Sequence, residues 1–371
     1  MMLKAYKFRL YPTTEQKTMI AKHIGSCRFV FNWALELKIK SYQEEGKSFS
    51  RYDINKMIPE LKKEHEWLKE SNSQSLQAMT KNVENAFTKF FREKAGFPNF
   101  KSKKNPVQSF EIPQHYIVDF DKNIIKLPKI GKIKAVLHRN FEGKLKTATV
   151  SRTLTGKYFI SILVDDEKDL PEKQTFTENT TVGVDVGIKD FAVLSNGEKI
   201  DNPKYLSKSL QRLKVVQKQV SKKVKGSNNR KKAIKRLAKI HEKVTNQRTD
   251  FQHKVSSRLI RENQAIAFET LKVENMVQNH CLAQAISDAS WSSFITKMEY
   301  KAEWYGKTIL RIGQFEPSTK LCNVCGYHNK DITLKIREWV CPKCKTEHDR
   351  DINAAINIKK FALQDQNLIV I

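Results

Sequence analysis

The chain has 371 residues, of which 68 are Lys or Arg and 40 are Asp or Glu, giving a formal net charge of +28. This length allows about two to four domains and at least one sizeable core, and the excess of positive charge favours a polyanionic partner, most commonly nucleic acid. No run approaches the roughly 18 apolar residues of a membrane-spanning helix, and the N-terminus lacks the apolar region of a signal peptide. The sequence therefore favours a cytoplasmic, nucleoid-associated protein with no membrane partner.

The N-terminal part of the chain changes from a strand pattern to a helical one. Residues Leu3 to Tyr11 alternate apolar with basic side chains, which is typical of a β-strand. Thr13 and Gln16 then give the capping-box signal of a helix start. Beyond them, apolar residues recur at three- and four-residue steps as far as about residue 94. This pattern predicts a helical bundle over residues 12–104.

A group of short polar side chains precedes the last predicted helix of this bundle. The run Ser71-Asn-Ser-Gln-Ser-Leu-Gln77 is rich in hydrogen-bonding groups, and Gln or Asn can contact adenine through two hydrogen bonds. Such a face could read a short DNA sequence, and the alternative is an ordinary solvated cap of the helix. The candidate base-reading residues are Gln74, Gln77 and Lys81.

The segment from 105 to 170 has the pattern of short strands. Its apolar runs are joined by Gly131, Gly143 and Gly156, a spacing that predicts a small β-barrel. If the N-terminal strand joins this barrel, residues 1–11 and 105–170 form one domain, into which the helical bundle is inserted.

Three short segments farther along the chain each carry an acid at the end of an apolar run or at a helix start. Residues 181–195 predict a β-hairpin with Asp185 on an otherwise apolar strand. A buried carboxylate is costly unless it is paired or binds a metal, although an aspartate at a strand end can also bond its own turn. A second apolar run ends in Glu269, and a helix begins near Asp349 and Asp351. If these acids converge, they offer the oxygen ligands that Mg²⁺ or Mn²⁺ prefers, and two such ions can clamp a reacting phosphodiester.

The most basic part of the chain lies between the hairpin and Glu269. From Lys204 to Arg248 there are 16 Lys or Arg and one acid, Glu242. Two apolar stripes at helical spacing predict an antiparallel helical pair over residues 204–261. Because the acids that normally balance a solvated face are missing, we expect this pair to bind a nucleic-acid backbone in a salt-dependent way. The candidate contacts are Lys222, Lys223, Arg230, Lys231, Lys232 and Arg236.

Four of the six cysteines form a metal-binding pattern. Cys322 and Cys325 make one Cys-x2-Cys pair, Cys341 and Cys344 make another, and 15 residues separate the two pairs. This spacing predicts a tetrahedral four-thiolate zinc ribbon over residues 319–347. The zinc is predicted to be structural, since closed coordination leaves no position for water. Cysteines used in this way also favour a reducing compartment.

The acidic and cysteine motifs occur in a characteristic order. Gly183-Val-Asp-Val-Gly-Ile-Lys-Asp is followed by Ala267-Phe-Glu, by the cysteine pairs, and by Asp349-Arg-Asp-Ile-Asn-Ala-Ala-Ile-Asn-Ile. In this order they resemble the TnpB family, insertion-sequence-encoded RNA-guided DNA nucleases related to the type V CRISPR effectors. The resemblance implies a multidomain α+β protein. An RNase H-like (RuvC) nuclease core over residues 178–318 and 348–371 would stand beside the β-barrel, the inserted helical bundle and the zinc ribbon.

The resemblance also implies a function and a set of partners. The protein would be an RNA-guided, metal-dependent DNA endonuclease of a transposable element, with a guide RNA and target double-stranded DNA as partners, cutting beside a short flanking motif. By motif position, Asp185, Glu269 and Asp351 would be the catalytic acids that coordinate magnesium, with Asp349 in a supporting role.

Two other functions remain open from the sequence. A nuclease-dead, RNA-guided repressor would be expected to lack one of the acids, whereas all three matched positions are intact. A DNA transposase proper could use the same three acids, so the acids alone do not separate it from a nuclease.

Overall fold

The computed structural model describes residues 2–314, 316–333 and 335–367, so the predicted domain limits at residues 1 and 371 lie outside the described residues. The chain divides into two compact units, Met1–Asp169 and Leu170–Ile371. None of the helices in the described ranges is both long enough and apolar enough to span a bilayer.

A seven-stranded sheet belongs to the first unit. Its strands are β1 (Leu3–Tyr11), β2 (Val107–Ile112), β3 (Ile117–Asp119), β4 (Ile124–Leu127), β5 (Gly131–Val136), β6 (Lys144–Thr153) and β7 (Tyr158–Asp165). They pair in the order β2-β6-β7-β1-β5-β4-β3. The N-terminal strand β1 thus lies inside the sheet, antiparallel to both β7 and β5. The predicted barrel takes the form of this sheet, and in the part of the chain described here its end strands, β2 and β3, do not pair with each other.

The chain between β1 and β2 is helical, as its apolar periodicity predicts. It forms α1 (Thr14–Glu45), α2 (Arg51–Glu64), a short 3₁₀ helix (Glu66–Glu70) and α3 (Ser73–Arg92). The predicted capping box is confirmed, because Thr13 Oγ1 accepts the N–H of Gln16 and Gln16 Oε1 accepts the N–H of Thr13. Buried side chains of the helices, such as Leu35 and Leu76, share one core with Phe8 and Phe110 of the sheet.

The second unit contains a five-stranded mixed sheet. Its strands are β8 (Thr181–Val186), β9 (Asp190–Leu194), β10 (Lys199–Asp201), β11 (Ala265–Glu269) and β12 (Thr308–Ile312), in the order β10-β9-β8-β11-β12. β8, β11 and β12 are parallel, whereas β9 returns antiparallel to β8 and forms the predicted hairpin. The carboxyl ends of β8 and β11 therefore meet at one edge of the sheet.

Helices cover both faces of this sheet. Their bounds are α4 (Tyr205–Ser221), α5 (Asn228–Glu262), α6 (Val273–Met276), α7 (Ala283–Ala289), α8 (Trp291–Trp304) and α9 (Arg350–Gln364). Side chains on β11 alternate between two cores: Phe268 packs with α5 and α8 on one face, and Ala267 packs with Ile358 of α9 on the other. This alternation follows from the two-residue period of a strand, and it brings α9 against the strands that carry acids.

The predicted helical pair is formed by α4 and α5, which pack against each other. Leu213, Val220 and Val244 are buried, in agreement with the apolar stripes. Val224 lies beyond the end of α4 and is exposed. The stripe therefore ends at Val220.

A small two-stranded sheet precedes α9 and carries the second cysteine pair near its turn. β13 (Glu338–Val340) pairs antiparallel with β14 (Glu347–Asp349), with Trp339 opposite His348. Because β14 leads directly into α9, the cysteine-bearing segment is continuous with the helix that carries Asp351.

Candidate functional site

Asp185 and Glu269 lie at the ends of neighbouring parallel strands. In the register of β8 and β11, Phe268 is the partner of Val184. The next residue on each strand is an acid, so the two carboxyl groups stand side by side at the same edge of the sheet. The sequence predicted each strand end, and parallel pairing accounts for their proximity.

Asp351 is brought to the same edge by the start of α9. Oδ1 of Asp349 accepts the backbone N–H groups of Asp351 and Ile352, each over 3.0 Å, so Asp349 is the N-cap of the helix. Its second oxygen, Oδ2, accepts a hydrogen bond of 2.5 Å from Nζ of Lys199 on β10. Burial opposes ionisation of Asp349, but Lys199 and the backbone N–H groups hold the pKa of this carboxyl below its usual value. Asp349 thus caps α9, and its predicted supporting role in the nuclease site stays a prediction.

α9 approaches β8 very closely, and a glycine permits this. A Cβ atom added at Gly183 would lie 2.1 Å from the carbonyl oxygen of Ala355. Gly183 is two residues before Asp185, and Ala355 is one helical turn after Asp351. The distance between Asp185 and Asp351 therefore depends on this close contact between β8 and α9, where no side chain fits.

Two arginines hold the carboxylate of Asp351. Nη1 of Arg337 donates to Oδ2 over 2.7 Å, and Arg350 donates to Oδ1 from Nε over 3.0 Å and from Nη2 over 2.7 Å. Arg350 is buried, and its N–H donates to the carbonyl oxygen of Arg337 over 2.7 Å. The cysteine-bearing segment is thereby tied to the first turn of α9.

The electrostatics of the site fit a cluster of mutually repelling acids. Burial, followed by the charges of Asp351 and Glu269, raises the pKa of Asp185 to about 8, and Arg350 and Arg337 only partly offset this. Burial also raises the pKa of Glu269. A divalent cation would relieve the repulsion among these carboxylates, and oxygen donors are the ligands that Mg²⁺ and Mn²⁺ prefer. The donor set therefore fits such an ion.

A cleft of about 540 Å³ opens at this edge of the sheet, and its walls include Asp185, Asp351, Arg337 and Arg350. Trp291 is buried and also lines the cleft. Within the described ranges, its Nε1 has no hydrogen-bond partner. Glu269 stands beside Asp185 but is not among the lining residues.

The four predicted zinc ligands converge. Their sulfur atoms all lie within 4.8 Å of one another, with 3.6 Å between Cys322 and Cys344 and 3.6 Å between Cys325 and Cys341. A tetrahedral zinc with bonds of about 2.3 Å separates its sulfurs by about 3.8 Å. The cysteines therefore have the chemistry and spacing of a structural zinc site.

The carboxylates are more widely spaced than the sulfurs. Among the residues described by the structure, the cysteines are the one group of three or more Asp, Glu, His or Cys side chains with ligand atoms all within 4.8 Å. Asp185, Glu269 and Asp351 do not meet this limit. Two cations about 3.5–4 Å apart can share a more widely spaced set of carboxylates. In this structure Arg337 and Arg350 hold the carboxylate of Asp351.

His348 has a partner that the sequence did not predict. Its Nε2 lies 3.1 Å from the sulfur of Cys322, and its ring packs against Trp339 with 4.6 Å between ring centroids. Outer partners of this kind orient metal ligands.

The predicted nucleic-acid contacts differ in exposure. Gln77 and Lys81 are exposed on α3, whereas Gln74 is partly buried. On the helical pair, the guanidinium of Arg230 donates to the carbonyl oxygens of Val220 and Lys223 and so closes the turn between α4 and α5. The other candidates on this pair are exposed, namely Lys222, Lys223, Lys231, Lys232 and Arg236.

Several residues of the site were missed or assigned elsewhere by sequence reasoning. Arg350 stands between two acids in the Asp-Arg-Asp motif, and that position was the available signal. Arg337 lies within the predicted zinc ribbon, and no local pattern links it to Asp351. Lys199 gave no signal, since its partner Asp349 is 150 residues away.

Comparison with known proteins agrees with this architecture. Three family models match: a "Probable transposase" family (OrfB_IS605) over residues 160–280, a Cas12f1-like TNB domain over 291–358, and a helix-turn-helix domain of OrfB_IS605 over 1–47. A solved structure, "Cryo-EM structure of the Cas12f1-sgRNA-target DNA complex", aligns with a TM-score of 0.61 at 15% identity, covering 96% of this chain and 98% of that chain. The fold is thus that of a multidomain α+β protein with an RNase H-like core and a zinc ribbon.

Two curated relatives that are more than 30% identical to this chain match nearly its whole length. A Streptomyces pristinaespiralis protein named "Putative RNA-guided DNA endonuclease" is 38% identical over 96% of this chain and 88% of its own length. An Escherichia coli K12 protein named "Putative RNA-guided DNA endonuclease InsQ" is 32% identical over 96% of this chain and 91% of its own length. The chain belongs to the TnpB family, which confirms the resemblance drawn from its motifs.

Proposed function

We propose that this protein is an RNA-guided, metal-dependent DNA endonuclease of the RuvC type, encoded by a transposable element. The observation that carries the proposal is the group formed by Asp185, Glu269 and Asp351, whose mutual repulsion contributes to the raised pKa of Asp185. The two curated relatives also support the proposal, because both are named as RNA-guided DNA endonucleases and both align over 96% of this chain.

Each part of the site has a chemical role in this proposal. The carboxylates of Asp185, Glu269 and Asp351 hold Mg²⁺ or Mn²⁺, which when bound supplies an activated water and neutralises charge on the phosphate. Arg337 and Arg350 orient the carboxylate of Asp351. The four cysteines hold a structural zinc, which stabilises the segment that carries Arg337.

Nucleic acid is bound by other parts of the chain in this proposal. The exposed lysines of α4 and α5 contact the backbone of a guide RNA, and Gln74, Gln77 and Lys81 read a short DNA motif beside the target. Base pairing between the guide and the target strand then specifies the cut site, as in RNA-guided effectors in general. The aligned Cas12f1 structure is a complex with sgRNA and target DNA, which supports these partners. A reducing cytoplasm, close to the nucleoid, would preserve the zinc thiolates.

One experiment separates the proposal from its rivals. The protein is purified with its co-expressed RNA and incubated with Mg²⁺ and a plasmid that carries a guide-matched target next to a randomised flank. We expect linear plasmid, with cut molecules enriched in one flanking motif, and no cleavage by Asp185→Ala. Plasmid that is bound but left uncut would favour a repressor, and products with joined DNA ends would favour a transposase.

A further inference from the structure

The first unit has a cleft of about 490 Å³ between α1 and the 3₁₀ helix Glu66–Glu70. Lys22, Gly25 and Phe29 line one wall, and their spacing of three and four residues places them on one face of α1. Trp67 and Glu70 line the opposite wall. Gln74, Gln77 and Lys81, the predicted base-reading residues, are not among the residues lining this cleft.

An exposed indole forms part of the cleft and is held in place from behind. Trp67 is 44% exposed. Its ring meets Phe29 edge to face with 5.1 Å between centroids, and Phe29 packs in the same way on His65 at 5.0 Å. These contacts fix the plane of the indole and leave part of it open to the cleft. A fixed, exposed aromatic ring is the usual platform on which an unpaired base stacks.

Charged groups surround this ring in a way that suits a nucleotide. Lys22 pairs with Glu70 across the cleft, and Arg28 donates to Gln108 from one of its five N–H donors. Lysine and arginine side chains attract a phosphate, while a carboxylate accepts hydrogen bonds from the exocyclic amino group of a base, as Glu does from cytosine N4. The cleft thus combines a stacking surface, cations and a carboxylate acceptor.

Gly25 has no explanation in the packing of the first unit. It lies inside the 32-residue helix α1, and glycine is among the poorest helix formers. A Cβ atom added at this position would meet no heavy atom within 4 Å. A missing side chain on the wall of a cleft allows a flat ligand to approach the helix backbone closely. Such a ligand would explain why a glycine occupies this position.

We propose that this cleft binds one unpaired, amino-bearing base of a nucleic-acid strand together with its phosphate. The base stacks on Trp67 and lies against Gly25, Glu70 accepts from its amino group, and Lys22 and Arg28 face the phosphate. The proposal rests on nucleic-acid binding by this protein and does not depend on cleavage. Cytosine, adenine and guanine fit the acceptor, whereas uracil and thymine lack the amino group.

The test uses the full chain and compares two probes at raised salt, without added Mg²⁺. One is a ten-nucleotide oligocytidylate, as RNA or as DNA, and the other is an abasic strand of equal length, which measures the backbone contribution alone. Stacking of a base contributes enough to strengthen binding by about 5- to 100-fold. We expect Trp67→Ala to reduce the ratio of the affinity for oligocytidylate to the affinity for the abasic strand by about that factor. If this ratio falls for the RNA probes, the cleft binds RNA, and if it falls for the DNA probes, the cleft binds DNA.

Gly25→Ala gives a sharper result because its two effects have opposite signs. Alanine favours the helix, so the Tm of the variant should rise, while its methyl group narrows the cleft and the affinity ratio should fall. Tyr42→Ala is the matched control, since Tyr42 is 68% exposed on the same helix and does not line the cleft; it should leave the ratio unchanged. A Gly25→Ala variant with raised Tm and an unchanged ratio would overturn the proposal, even if Trp67→Ala failed to fold. An oligouridylate bound as tightly as oligocytidylate would overturn the role of Glu70.

Discussion

Arg337 donates a hydrogen bond of 2.7 Å from Nη1 to Oδ2 of Asp351. The other oxygen of that carboxylate accepts two hydrogen bonds from Arg350. In the proposed function, Asp351 is also a ligand of a divalent cation. The arginines and the cation therefore compete for the same carboxylate, and the wide spacing of the three acids in this structure is consistent with the arginines holding Asp351.

The first prediction follows from this competition. Arg337→Gln should strengthen binding of Mn²⁺ about fivefold in the absence of nucleic acid, since a partly exposed ion pair contributes roughly 1 kcal/mol. Arg337→Lys keeps the positive charge and should bind Mn²⁺ much as the unaltered protein does. Electron paramagnetic resonance of free Mn²⁺ during a titration measures both affinities. Equal affinities for the Gln and Lys variants would show that Arg337 does not compete with the cation.

Sequence reasoning reached the acids but not their arginine and lysine partners, for a physical reason. Asp185, Glu269 and Asp351 each adjoin a local pattern, an apolar strand or a capped helix start, and such patterns are visible in a short window. Glu269 stands beside Asp185 because β8 and β11 are parallel neighbours, which sequence period alone does not specify. Lys199 and Arg337 reach their acids through tertiary packing, and no periodicity marks them. The β-barrel was predicted from strand spacing. That spacing indicates where the strands lie in the sequence, but it does not indicate whether the two end strands of the sheet pair with each other.

The second prediction concerns the pKa of Asp185. In the folded protein this pKa is about 8, against an ordinary value of 3.8. Between these values the folded state binds more protons than the unfolded state, so the stability of the fold falls as pH rises from about 4 to 8. Asn does not titrate, so the gain in Tm for Asp185→Asn should grow across that window and level off above about pH 8. About 1 kcal/mol corresponds to roughly 2–4 °C in a unit of this size.

Thermal melts at several pH values, without added Mg²⁺, measure this effect. Asp250→Asn is the control, because Asp250 is an exposed acid of α5, and its Tm difference should stay small at every pH. The Asp185→Asn variant should also lose plasmid cleavage. A Tm gain that does not change with pH would contradict the raised pKa.

The third prediction separates the two contacts of Asp349. Asp349→Ala removes the helix cap and the pair with Lys199, and loss of a cap alone costs about 0.5–2 kcal/mol. Asn is also a good cap, so Asp349→Asn should retain most of the Tm while losing the ion pair. We expect slower cleavage for Asp349→Ala, because the first turn of α9 positions Asp351. Thermal melting measures the loss of stability, and single-turnover cleavage measures the loss of rate. If Asp349→Ala changed neither, Asp349 would not position Asp351.

The fourth prediction tests the close contact between β8 and α9. A methyl group at position 183 would lie 2.1 Å from the carbonyl oxygen of Ala355 and 2.8 Å from the backbone nitrogen of Lys359. Backbone atoms cannot yield as a flexible side chain does, so in Gly183→Ala the helix must move away from the strand. Overpacking of this kind costs about 1–3 kcal/mol or more. The same movement separates Asp351 from Asp185, and a displacement of about 1 Å can slow a reaction about 100-fold.

We therefore expect Gly183→Ala to lower both the Tm and the single-turnover rate of cleavage, with the loss of rate exceeding that explained by unfolded protein. Gly96→Ala is the matched control, because a Cβ atom at Gly96 would meet nothing within 4 Å, and it should leave the rate of cleavage unchanged. The amount of folded protein in each assay is measured by circular dichroism at the assay temperature. If folded Gly183→Ala protein cleaved at the rate of the Gly96→Ala control, the alignment of the acids would not depend on this contact.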